Sequence, residues 1–94
     1  MATRSVWAFS RRVHSVRPGT ILRVQARAPF RVRWTAEEWS VVRDTASTAT
    51  ALGISFADIP IASGQAAPIR FTFFWLAVDR WEGRDFVINV EGTP

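Results

Sequence analysis

Ninety-four residues, 48% apolar and 13% aromatic, fit a single domain with one packed core. All twelve basic residues are arginine; residues 1–36 hold eight of them and no acid, and residues 37–94 hold four together with all eight acids. With no cysteine and one histidine, His14, disulfides, thiolate metal sites and histidine clusters are excluded, so no metal or cofactor is expected.

In chain order, Ser5–Val16 alternates around Trp7, Phe9 and Val13 and predicts a strand pair or one bent strand, ended by the turn Arg17-Pro18-Gly19. Ile21–Ala26 predicts a strand with Leu22, Val24 and Ala26 on one face, and Ala28-Pro29 breaks it. Phe30–Trp34 has nearly perfect period two and turns Arg31 and Arg33 away from the core. The pattern loosens over 35–53: Trp39, Val41 and Val42 suit a short strand, a helix over Ala36–Val42 is the weaker alternative, and Asp44–Thr50, rich in small and hydroxyl residues, predicts the longest loop. Ile54–Ile61 resumes as a strand, with Pro60 marking its edge or end. Ile69–Trp75 carries bulk on both faces and is expected in the middle of a sheet. Asp85–Glu91 closes the series with Phe86, Ile88 and Val90 inward. About seven short strands separated by turn residues predict an all-β fold, one immunoglobulin-like antiparallel β-sandwich over residues 1–94 with flexible ends at 1–4 and 92–94.

Functions divide by the equipment each needs. No window reaches the roughly 18–20 consecutive apolar residues of a spanning helix, so no membrane role is expected. Met1–Phe9 lacks an apolar segment followed by a small-residue cleavage site, which leaves bacterial cytoplasm or periplasm, or a piece of a longer protein. Arginines interleaved with Trp7, Phe9, Phe30 and Trp34 alternate with those aromatics, which separates charge from stacking surface and argues against nucleic acid. The Arg-only composition reflects coding bias as readily as a polyanion partner. Glycoside hydrolysis needs two carboxyls flanking a cleft, and Glu37, Glu38, Asp44, Asp58, Asp79, Glu82 and Asp85 are the candidates; a thin sandwich offers little cleft in which to raise an acid's pKa, and no catalysis is expected.

Sugar binding needs an exposed aromatic plane and a few hydrogen-bonding groups around it. Trp34 and Trp75 share strand phase with Val32 and Phe73 and read as core. Trp7 reads as core or as a contact to a neighbouring domain. Trp39 and Trp81 fall outside strand phase among charged neighbours, and are open to either a ligand or a packing role.

The segment Phe30-Arg31-Val32-Arg33-Trp34-Thr35-Ala36-Glu37-Glu38-Trp39, the strand Ile69-Arg70-Phe71-Thr72-Phe73 and the stretch Trp81-Glu82-Gly83-Arg84-Asp85-Phe86-Val87-Ile88-Asn89-Val90 resemble the starch-binding modules of bacterial amylases. Over residues 5–91 the chain also resembles the C-terminal domain of bacterial family-15, glucoamylase-like glycoside hydrolases. The resemblance implies an α-glucan (starch or glycogen) ligand, Trp39 and Trp81 as stacking residues and Arg33 at a sugar-contacting position; Arg33, Asp44, Glu82 and Arg84 are the rim groups expected around them. It departs from the pattern where Glu82-Gly83 replaces Asn-Asn and Arg33 replaces a histidine. The partners it implies are a polysaccharide and an adjacent catalytic domain. The alternative is a structural domain that packs on such a domain through Trp7 and the basic face and binds no sugar.

Overall fold

The computed structural model describes residues 3–91. Over them the chain forms ten strands and no helix: β1 (Arg4–Ala8), β2 (Ser15–Val16), β3 (Ile21–Ala26), β4 (Phe30–Thr35), β5 (Arg43–Ala46), β6 (Thr48–Ala49), β7 (Ser55–Pro60), β8 (Ile69–Trp75), β9 (Arg80–Trp81) and β10 (Phe86–Val90). β2, β6 and β9 have two residues each, which leaves seven longer strands, the number the sequence spacing suggests. Of the ends expected to be flexible, Arg4 already belongs to β1 and the Thr3 carbonyl accepts the Ile21 N–H at 2.9 Å, while 1–2 and 92–94 lie outside the described residues.

The strands make a β-sandwich of two sheets, one ordered β1-β3-β7-β6 and the other β2-β10-β8-β4-β5 with β9 beside β8. Period-two patterning dictates the layers: β3 buries Leu22, Val24 and Ala26, β4 buries Phe30, Val32 and Trp34, β7 buries Ser55, Ala57 and Ile59, and β8 buries Ile69, Phe71 and Phe73. Trp7, only 2% exposed, bridges the sheets; its ring centroid lies 4.9 Å from that of Phe86 and 5.1 Å from that of Phe71. Each such side chain withdrawn from water stabilises the fold by about 1.5–3 kcal/mol. Burial also removes Trp7 as a contact to any neighbouring domain.

Two departures from the sequence reading have local causes. The sandwich is not wholly antiparallel, since β1 runs parallel to β3 and β2 parallel to β10. After Ala8 the chain crosses to the second sheet to form β2 before returning as β3, and strands joined by a crossover rather than a hairpin run parallel. The stretch Asp44–Thr50, read as loop, contains most of β5 and all of β6. It forms a corner in which β5 pairs with β4 in one sheet and β6 with β7 in the other. Ser47 pins the corner, donating its backbone N–H to the Phe30 carbonyl (2.8 Å) and accepting the Phe30 N–H on Oγ (3.0 Å). Edge residues so exposed need no apolar side chains, which hid these strands from a hydrophobicity pattern.

The central position expected for Ile69–Trp75 is observed: β8 lies between β10 and β4. Its outward residues Arg70, Thr72 and Phe74, with Arg31 and Arg33 of β4, therefore form the middle of the outer face of the larger sheet.

Candidate functional site

Cross-strand register assembles the outer face. Phe74 sits opposite both Arg31 of β4 and Trp81 of β9, and Arg33 sits opposite both Thr72 and Asp44 of β5. Trp81 meets Phe74 edge to face, with centroids 5.0 Å apart, and the Arg33 guanidinium lies 4.7 Å from the Trp81 ring centroid. Asp44 holds that guanidinium by two bonds, Nε to Oδ1 (2.8 Å) and Nη2 to Oδ2 (3.0 Å). Trp81 remains 39% exposed. Beside it, Thr72, Gly83, Arg84 and Asp85 complete a shallow hollow of about 320 Å³.

The arrangement joins an accessible indole to fixed polar groups. Both oxygens of Asp44 are engaged by Arg33, so its part is to fix the cation against the ring, and the unused guanidinium N–H groups remain as donors. The Arg33 hydrogen bonds hold the Asp44 carboxyl below its usual range, with burial opposing. Gly83 adopts φ +90°, a left-handed conformation that a residue with a Cβ rarely takes, as the chain turns from β9 toward β10. Arg84 follows on that turn, exposed, and its carbonyl accepts the Thr72 hydroxyl proton at 2.7 Å.

Trp39 is not part of this constellation. It lies in a tight turn past Thr35, at the end of β4 opposite Arg70, whereas Trp81 aligns with Arg31. Four strand residues separate those rows, roughly 13 Å at about 3.3 Å per residue. Neither the strand nor the helix weighed for this stretch forms. Buried Thr35 accepts the N–H groups of Glu37 and Trp39 on Oγ1, 3.1 Å each, and donates to the Val41 carbonyl at 2.6 Å. That hub holds Glu38 and Trp39 at φ 52° and 69°, a left-handed pair that ends the strand without glycine. Glu38 also accepts from Arg70 at 3.0 Å, and Trp39 is half-buried.

Glu82 leaves the Trp81 rim as well. Successive strand residues point to opposite sides, so Glu82 turns under the sheet, where its Oε1 accepts the Trp75 Nε1–H at 2.9 Å. There it lines a larger cleft of about 560 Å³ at one end of the sandwich, with Phe9 and Trp75. Trp75, read as core, packs on the core by stacking against Phe73 (5.1 Å, 10° between planes), but its remaining surface faces this cleft.

The structure thus brings Arg33, Asp44, Trp81 and Arg84 to one neighbourhood and places Trp39 and Glu82 elsewhere. Phe74 and Arg31, whose guanidinium lies 5.1 Å from the Phe74 centroid, were missed as parts of the face. An outward phenylalanine in a central strand is the signal that could have found them. Among the described residues no cluster of metal-binding side chains occurs. The shifted carboxyls, Asp44 and Asp58, both move down through arginine hydrogen bonds, the opposite of what a general acid requires.

The chain is similar to part of a cycloisomaltooligosaccharide glucanotransferase from Niallia circulans, with 31% identity over 105 aligned residues. The match covers 90% of this chain but 10% of that protein, so the chain spans about a tenth of the length of its curated relative. No family model and no solved structure gives a significant match.

Proposed function

We propose that this domain is a non-catalytic carbohydrate-binding module that holds an α-glucan, starch or glycogen, on the outer face of its larger sheet and serves as an accessory domain of a glycoside hydrolase. The observation that carries the reading is Trp81, an indole 39% exposed and fixed between Phe74 and Arg33 rather than buried in the core. The partial similarity to a glucanotransferase supports a carbohydrate-related setting. The α-glucan and glucoamylase-like attributions rest on the sequence resemblance.

One face of an indole of roughly 200 Å² total, covered by the apolar face of a pyranose at about 25 cal/mol/Å², contributes on the order of 2 kcal/mol. Arg33 and Arg84 add donors for sugar hydroxyls. After the cost of association, affinity for a short oligosaccharide falls in the range of roughly micromolar to millimolar. Weak sites of this kind suit a repetitive polymer, on which release is followed by rapid rebinding nearby. Trp39, farther along the sheet, engages only a chain long enough to reach it.

Native affinity electrophoresis in gels containing amylose or glycogen tests the proposal. The parent is expected to be retarded relative to a gel without polysaccharide, Trp81→Ala to lose most of that retardation, and Trp39→Ala to lose a smaller part. A parent that migrates identically with and without polysaccharide removes the reading.

A further inference from the structure

We propose that the open end of the sandwich carries a second and separate site, a cleft that takes the terminal one or two units of a neutral oligosaccharide. Register places the end of β1 beside Gln25, the end of β3 beside the start of β7, and the start of β4 beside the end of β8. The two sheets therefore open at one common end. Beyond Phe73 the gap between them is not filled, and a cleft of about 560 Å³ remains, a size common for small-ligand sites.

The lining fits a sugar better than an apolar ligand. Phe9 and Trp75 provide aromatic wall, and Ala26, Ala28 and Ile54 add small apolar surface. Glu82 provides a carboxylate fixed by the Trp75 indole N–H, with its second oxygen free to accept a sugar hydroxyl. Ser10 and Arg27, on the segments that leave β1 and β3, line the same cleft, while Gln25 borders it through β3, whose inward side chains are Leu22, Val24 and Ala26. A purely apolar ligand would leave the Glu82 carboxylate and the Arg27 guanidinium without partners; a neutral polyol donates to the first, accepts from the second and lays its apolar ring faces on Phe9 and Trp75. Trp75, which lines the cleft, rests on Phe30 and Phe73 of the packed core, so a chain entering the cleft stops at that ring. The Trp81 face has no such stop. Trp81 and Glu82 adjoin in sequence, yet strand alternation assigns them to different sites, and the cleft does not depend on what the outer face binds.

The test is a titration of the whole domain with maltose and with isomaltose, following the five indole N–H resonances by two-dimensional NMR. A saturable shift of the Trp75 indole signal is expected with at least one of the two sugars. Glu82→Gln retains an acceptor for Trp75 and so should keep the fold; it and Arg27→Ala are each expected to weaken binding about tenfold, while Trp81→Ala stays within about twofold of the parent. The proposal is overturned if saturating amounts of both sugars leave Trp75 unmoved, if both cleft variants bind like the parent, or if Trp81→Ala abolishes the shift. Loss of polysaccharide retardation in Trp81→Ala bears on the outer face alone, so the two readings fail separately.

Discussion

The two outer faces of the sandwich are built from the same parts and differ in how tightly those parts close. On the smaller sheet, Arg23 makes two bonds to Asp58 across the β3–β7 register (2.8 and 3.0 Å) and lies 3.9 Å from the Phe56 ring centroid. On the larger sheet, Arg33 makes two bonds to Asp44 across the β4–β5 register, also 2.8 and 3.0 Å, but lies 4.7 Å from the wider Trp81 ring. The first pair keeps 24% and 33% of its side-chain surface, the second 41% and 36%. An arginine pinned by a carboxylate over an aromatic ring is thus a closed structural unit on one face, and on the other it leaves an indole accessible to a ligand.

Substitutions can break this comparison, beginning with the largest effect. Trp7→Ala, which empties the core between the two faces, is expected to cost about 3–5 kcal/mol in urea unfolding, whereas Trp81→Ala should cost under about 1 kcal/mol. A large loss of stability in Trp81→Ala would show that its ring is structural, like Phe56. For binding the order reverses: Trp81→Ala is expected to weaken retention on glycogen by roughly thirtyfold, the equivalent of about 2 kcal/mol. Phe56→Ala should migrate like the parent in the same gel. Equal losses in both would mean that the closed face binds too.

Smaller effects separate the two ion pairs. Asp44→Asn releases the Arg33 guanidinium and is expected to weaken glucan binding by about threefold, a change near 0.6 kcal/mol; Asp58→Asn should leave binding unchanged. Acid titration gives the weakest signal. Asp44 and Asp58 are both held below their usual carboxylate range, first by their arginine hydrogen bonds, so their stabilisation is fully present above the unfolded pKa near 4 and is lost as pH falls through the lower folded values. Solvent screening limits each to roughly 0.2–1 kcal/mol. Urea midpoints measured between neutral pH and about pH 3 should fall less for Asp58→Asn than for the parent.

How much of this was legible in the sequence follows from which force shapes each element. Strands β3, β4, β8 and β10 were readable because half-buried strands must alternate, and Leu22, Val32, Phe73 and Ile88 obey that rule. β5 and β6 were not, because exposed edge residues such as Asp44 and Thr48 carry no apolar period and are placed by register. The Trp39 turn depends on one buried hydroxyl, Thr35, whose three hydrogen bonds no residue spacing reveals. In the candidate site, the strand phase of Trp81 and the resemblance at Arg33 pointed to two residues that the structure places in contact. Glu82 adjoins Trp81 in the matched segment, but strand alternation turns its carboxylate to the Trp75 side of the sheet, a direction that a linear motif does not carry.

The most direct test of the central claim is to follow the Trp81 indole N–H resonance by NMR while titrating the domain with maltoheptaose. A progressive, saturable shift at Trp81, with the buried Trp7 signal unmoved, is the expected result. A Trp81 signal that stays fixed throughout the titration would contradict the account, whatever the other indoles do.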